Sequence, residues 1–545
     1  MTEIVAPLLA DPDTVWAAAE TERRFAGLRP VVRDLQIGRI VRELALEHED
    51  RARALGRRLA RTGTTPTAVC VGLGLLARLG EPEDVPLLEV LGALRDLVTP
   101  AVHALDAIDR RAGALVWLGH HAEGPELRSL VAALEADDGA AVRRGLAAVP
   151  RERRNVGPET ARRIVDAVRP ADILRSPDVT PSLREALTAR TGWLLFRATS
   201  LRDDRAEILF CAEAVSTYEA FVSCAAGLAP TLDHYALLLS AAFDLHSGPG
   251  RLHDWGTGRR EAVLEQVESV LDRPEWRAVV VPGADPGPGA EGVERRRFQW
   301  AVRNGKRPFA DAAAGADAIG GPGPSLRALR IETVVRDPAD AHTVESRMLI
   351  DGRPLVQEAF GRGAAHSPED LLDSGVLRAT AEPREVQLAE AYCTEGCCGA
   401  LYVTVRRDGD QVVWSDWRRP PPPPSPLYLR EIPELRFDGA AYDAEIARAE
   451  NDHAWTWPAR RTSRLIAAGL RDRPELLTRW DMELGWIATD FQDPDRTAVC
   501  LLYAGDDGAP RHRMWQIPED GTPPEDRAAA ALDRLATVDP RTYGA

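Results

Sequence analysis

At 545 residues the chain is too long for one ordinary hydrophobic core, and roughly two to four domains are expected. Its 44% hydrophobic and 28% charged residues match a soluble globular protein, and no window approaches the roughly 18 uninterrupted apolar residues of a membrane span. A net charge of -16 argues against wholesale binding to nucleic acid or anionic membrane.

The opening MTEIVAPLLADPD carries Glu3 and Asp11 and no basic n-region, so it does not read as a secretory signal, and a cytosolic location is expected. The 7 cysteines are an odd number, which points away from a disulfide framework. Lys306 is the only lysine; the arginine bias runs through the whole chain and reads as base composition of a GC-rich genome.

From Asp13 to Arg61 apolar residues recur at helical spacing, with Asp13 or Thr14 placed to cap the first helix; this pair reads as an atypical end repeat. From Cys70 to Pro150 one helical hairpin is written twice. Leu87 aligns with Leu127, Leu91 with Val131, Leu94 with Leu134 and Val102 with Val142, an offset of about 40 residues. On these residues the N-terminal half resembles HEAT or armadillo-type repeat proteins over about 200 residues. That resemblance implies an α-solenoid with an extended binding surface and a protein partner.

Beyond the repeats, VGPETARRIVDAV and SPDVTPSLREAL predict amphipathic helices, the second with Thr180 as cap and Pro181 at its first position. Cys211 and Cys224 fall on a continuous apolar pattern between Gly192 and Leu245 and read as core thiols. The expected division is an all-α HEAT-like solenoid over 1–280, then a Pro/Gly-rich linker with one short helix over 281–325. There the hydrophobic period changes from 3.6 to 2. A β-rich domain is expected over 326–419, with hairpin turns at Asp351-Gly352 and Asp408-Gly409 and a mainly antiparallel sheet. Residues 420–426 read as a polyproline connector and 427–545 as an α+β region. There Thr522-Pro-Pro-Glu525 reads as a capping box opening a last helix.

Cys393, Cys397 and Cys398 are the densest candidates for chemistry. Three thiols within six residues can chelate zinc, with His453, His512 or Cys500 as fourth ligand, or act as a redox or catalytic thiol. The missing second Cys-x-x-Cys pair favours a plainer reading, a glycine-bent turn packed by small side chains, and no cofactor is predicted. Arg143, Arg144, Arg151, Arg153, Arg154, Arg162, Arg163 and Arg169 form a basic run against only Glu152, Glu159 and Asp166. On a solenoid such a stripe can hold nucleic acid phosphates, and the architecture is similar to HEAT-like alkylpurine DNA glycosylases. Their catalytic aspartate and aromatic set find no residue-by-residue counterpart, and a solvated arginine face is preferred.

His120-His121 reads as an inter-helix loop rather than a chelating pair. LHSGPGRLHDWGTG places His246 and His253 in a Gly-rich loop with Asp254 and Trp255 that can form a small site. More than half of the 13 tryptophans follow Arg407, and Trp455 and Trp457 share one face of an extended piece, as core or as the wall of a ligand groove. Glu445, Asp452 and Asp481 are the acids available for acid/base work in that region. No GxGxxG, Walker, nucleophile-elbow, HExxH or EF-hand pattern occurs. EAYCTEGCCGALYVTV and the WPAR helix resemble a segment recurring in proteins of high-GC bacteria, a resemblance that implies no activity.

Three function classes follow. An interaction scaffold with a protein partner is expected first, a metal- or thiol-dependent enzyme or sensor at Cys393–Cys398 second, and nucleic-acid binding through the arginine stripe third.

Overall fold

The computed structural model describes residues 2–9, 11, 13–26, 41, 44–151, 156–199, 207–281, 292–305, 309, 326–340, 343–420, 432–490, 493–505 and 507–543. The prolines at 421–426, Arg153, Arg154, Glu152 and most of the expected linker lie outside these residues, as does the side chain of Cys397.

Helices fill the N-terminal half. Proline opens several of them, at Pro66, Pro125, Pro158 and Pro181, where its missing N–H is not needed and its fixed φ is already helical. Short polar side chains then cap the starts: Asp13 accepts from Trp16 N at 3.1 Å, Asp109 from Ala112 N at 3.1 Å, and Asp138 from Ala141 N at 3.0 Å. Thr180 precedes its helix without making a cap bond.

A row of helices packs in near-sequence order: Glu49–Thr62, Pro66–Leu79, Val98–Ile108, Arg110–His121, Pro158–Val168, Pro181–Ala198, Leu232–Ser247 and Gly292–Asn304. Val85–Gly92 packs on Val98–Ile108 and Arg110–His121, and Pro125–Glu135 packs on Gly139–Ala148 and Arg110–His121, beside the row. Three of the four aligned pairs are apolar positions turned inward at least in part. The fourth differs, for Leu134 is buried while Leu94 is 54% exposed. The short helix Val85–Gly92 ends before Leu94 and leaves it on a surface turn. The row holds two cores that meet at the helix Arg110–His121, with Ala112 in one and Ala114 in the other.

The C-terminal half is built on antiparallel sheets. Strands β1 (Leu329–Val335), β2 (Val344–Ile350) and β3 (Arg353–Pro354) form the first. Asp351 and Gly352 both take positive φ between β2 and β3, as a type I′ turn requires. Strands β4 (Arg384–Glu390), β5 (Ala400–Asp408), β6 (Gln411–Arg418) and β7 (Leu435–Asp438) form the second, in that order. Backbone bonds join the two at both edges: Arg327 N donates to Arg436 O at 2.7 Å, while His366 N reaches Leu388 O and Ser346 N reaches His366 O. Both sheets accordingly share one core, from Ile331 and Met348 through Val403 and Trp414 to Phe437, Tyr442 and Ile446. The boundary expected at 420–426 therefore falls inside this unit, because β7 and the helix Gly439–Asn451 complete its core.

A third sheet, β8 (Met482–Thr489), β9 (Thr497–Ala504) and β10 (Pro510–Ile517), packs under the helices Pro458–Asp472 and Pro524–Thr537. These helices approach so closely that a Cβ at Gly469 would strike Leu532. The last helix begins at Pro524 with Pro523 as its cap position, so Thr522 lies one residue too early to form the expected capping box.

Candidate functional site

Polar side chains are buried most densely at the seam between the helical row and the first sheet. The helix Leu232–Ser247 is buried throughout its last turn, and its terminal carbonyls need donors that water cannot supply. Three arginines from three elements provide them. Arg347 on β2 donates to Phe243 O at 3.0 Å, Arg260 on the helix Arg259–Leu271 to Leu245 O at 3.1 Å, and Arg251 in the following turn to His246 O at 2.9 Å. Cations at a helix C-terminus are favoured by the helix dipole as well as by the bonds. Burial, and then the neighbouring Arg260, push the Arg251 guanidinium down to about 10.

The same seam holds acids. Glu345 and Arg347 are two apart on β2 and so share a face; Arg347 Nε donates to Glu345 at 2.7 Å, and Gln357 reaches the other carboxylate oxygen at 3.3 Å. Asp244 accepts a bond from the Tyr218 hydroxyl. Burial pushes the Asp244 carboxyl up, and the Tyr218 bond, the Arg347 charge and the Gly250 N–H offset this only in part. Burial pushes Tyr218 up as well, and Asp244 adds to it. His246 Nε2 meets Glu332 on β1 at 2.8 Å. Burial opposes the Glu332 carboxylate, but His246 and Ser247 outweigh it and hold its pKa below the usual range.

These contacts give the Gly-rich loop its physical reason. A Cβ at Gly248 or Gly250 would run into the Asp244 carboxylate. His246 belongs to the last helical turn rather than to the loop, and His253 is half-buried with its Nε2 enclosed and unbonded. Burial pushes His253 down to about 4. Within the cluster Arg347 pairs with Glu345 and His246 with Glu332, and the contacts of Arg347 and Glu332 with the helix Leu232–Ser247 join the first sheet to the helical row.

Two crevices open beside this cluster. One lies between Phe196, Phe243 and Trp300, with Asp244, Asp337 and Arg336 on its rim. The other lies between Arg296, Arg303, Arg336, Pro338, Trp457 and Pro494. Arg347 and Glu345 were not singled out from sequence, because charges at alternate strand positions read as an exposed face; β2 is covered on both faces instead.

The expected sites are distributed elsewhere. Cys393 is exposed ahead of the one-turn helix Glu395–Cys398, and the half-buried Cys398 is its last residue, followed by Gly399 at φ 103°. Cys500 and His512 belong to the third sheet, and His453 Nδ1 meets the Arg464 guanidinium at 3.2 Å. Among the described residues no group of three His, Cys, Asp or Glu is arranged to hold a metal. Of the arginine stripe, Arg144, Arg151 and Arg169 reach the surface and Arg143 is half-buried. Arg162 and Arg163 turn inward, the first to Asp166 at 2.8 Å and the second to Asp106 at 2.9 Å, and leave the stripe. His120 and His121 sit in the last helical turn rather than in a loop; His120 meets Gly92 O at 2.8 Å and His121 stacks on Trp117. Glu445 accepts from Ile331 N at 2.6 Å, Asp452 from Ala454 N at 3.0 Å, and Asp481 occupies an exposed turn at φ 52°. Trp455 and Trp457 are both buried against the core of the helical row.

No family model, curated protein or solved structure matches this chain. No described helix is long and apolar enough to cross a membrane.

Proposed function

We propose that this chain is a cytosolic protein-interaction scaffold whose helical row works as a HEAT-like solenoid. The observation that carries the reading is the apolar ridge on the first repeat. Val90 is 67% and Leu94 54% exposed, with Leu87 and Leu91 half-buried beside them. Large aliphatic side chains in such a cluster mark interaction surfaces more than solitary exposed ones do. Glu89 and Asp96 stand exposed around the ridge beside Arg95, and Glu83 is held by Arg57 at 3.1 Å. The partner that fits is therefore an amphipathic helix with basic flanks, laying its apolar face on this ridge. The first sheet is joined to this row through Arg347 and Glu332, at the helix Leu232–Ser247. Affinity purification of the tagged full chain from its native host, with nuclease added, tests the reading. A stoichiometric protein partner is the expected result, and recovery of the chain alone counts against it.

A further inference from the structure

The helix Gly292–Asn304 presents Arg296, Gln299 and Arg303 to the second crevice, at spacings that put them on one face. Arg336, directly after β1, closes the crevice from the other side. Three guanidiniums thus face a single lining carboxylate, Asp495, and that acid is engaged by Arg296 Nη1 at 2.9 Å. Arg303 makes no hydrogen bond or ion pair among the described residues, and its Nε is enclosed without a partner. Burial pushes its guanidinium down to about 10. Arg336 likewise has no acid within ion-pair reach among the described residues; its guanidinium lies over the Phe196 ring at 5.5 Å.

Buried and half-buried arginines elsewhere find oxygen partners: Arg251 donates to His246 O at 2.9 Å and Arg190 to Ala147 O at 3.3 Å. Arg162, Arg163, Arg197 and Arg347 are buried and each meets a carboxylate. An enclosed cation with no anion in contact is costly, and Arg303, with the half-buried Arg336 facing it, leaves an opening short of negative charge. Guanidinium forks match the paired oxygens of phosphate and carboxylate. The remaining walls, Val335, Pro338, Pro494 and the Trp457 ring, are apolar. That ring is fixed by its Nε1 bond to Pro494 O at 2.8 Å and by Arg460 over its face at 5.2 Å.

We propose that this crevice binds a small oxyanion-bearing ligand, a phosphate ester or carboxylate on an apolar body, with Arg303 and Arg336 on the anionic group and Trp457 beside the body.

Titration calorimetry on the full chain tests it, with phenyl phosphate, benzoate and the neutral benzyl alcohol as probes. Saturable binding of an anionic probe is expected, weakened about tenfold or more in Arg303→Gln and in Arg336→Gln, with benzyl alcohol binding far less tightly. Tighter binding of phenyl phosphate assigns a phosphate ester, and tighter binding of benzoate a carboxylate. Thermal melting of both variants accompanies the titrations; removing an unmatched cation should leave the melting temperature unchanged or raise it. Absence of saturable binding of either anion to folded wild-type protein overturns the proposal. So does binding that both variants retain in full, or equal affinity for the neutral probe.

Discussion

Arg460 forks onto Glu369 with bonds of 2.7 and 2.8 Å, and one helical turn later Arg464 forks onto Asp373 with two bonds of 2.7 Å. Both pairs are spaced by four, so one face of the helix Pro458–Asp472 is clamped to the single π-turn Glu369–Asp373. The same two guanidiniums lie over Trp455. The clamp thus ties the third sheet's helix to the β-rich unit at the point where the tryptophans enter the core of the helical row.

Arg460→Met should cost about 1–3 kcal/mol in chemical denaturation, since it strands the partly buried Glu369 carboxylate. Glu369→Gln in the same chain should cost less than it does in wild type, a coupling that a double-mutant cycle reads directly. Additive losses would show that the fork carries no stability of its own.

The pH dependence of this pair has a definite sign. Burial works against the Glu369 carboxylate, but Arg460 prevails and holds its pKa below the ordinary 4.5. A depressed folded-state pKa gives stability that is present above pH 4.5 and lost as pH falls through the folded value. Arg460→Met should therefore flatten the acid side of the stability profile, and an unchanged acid limb would contradict this.

Asp244 has the opposite sign. Its folded-state pKa lies above the ordinary 3.8, so its contribution favours folding at low pH and is lost as pH rises through the folded value. Asp244→Asn cannot ionise, and its stability relative to wild type should rise in urea melts taken from about pH 4 to about pH 8. A difference that stays constant with pH would show that Asp244 titrates alike in folded and unfolded chains.

Gly250→Ala should destabilise by about 1–3 kcal/mol, because its methyl group meets the Asp244 carboxylate rather than open space. Gly119→Ala, where nothing lies within 4 Å of the added carbon, is the matched control and should be neutral or stabilising.

The thiols should divide by exposure. Cys393 is exposed and should be alkylated rapidly in the native chain, whereas Cys211 and Cys500 are buried and should wait for unfolding. Burial, with Asp166 beside it, also pushes the Cys211 thiol up and away from the reactive thiolate. Metal analysis alongside the labelling decides the zinc alternative. Stoichiometric zinc that shields Cys393 from alkylation would establish it, and rapid labelling of zinc-free protein would dismiss it.

Local signals were legible in the sequence. The Asp351-Gly352 turn and the strand Val344–Ile350 before it depend on neighbours a few residues away, whereas the strand expected after it stops at Pro354 and gives way to the helix Leu355–Ala359. The inward turn of Arg163 was not legible, because its partner Asp106 lies 57 residues back on another helix. The triple-arginine cap of the helix Leu232–Ser247 was hidden for a further reason. Its acceptors are backbone carbonyls, which leave no mark in the sequence, and Arg347 reaches Phe243 across 104 positions. The crevice arginines were in view as ERRRFQWAVRN, yet only the packing separates Arg297, which Asp337 engages at 2.9 Å, from Arg303, which no acid meets among the described residues.

The most direct test of the scaffold reading is partner capture by the tagged full chain carrying Val90→Asp and Leu94→Asp, compared with wild type under nuclease. Both side chains are exposed, so the variant should fold and melt as wild type does. The account predicts a stoichiometric partner recovered with wild type and lost from the folded variant. A partner retained undiminished by the variant would contradict it.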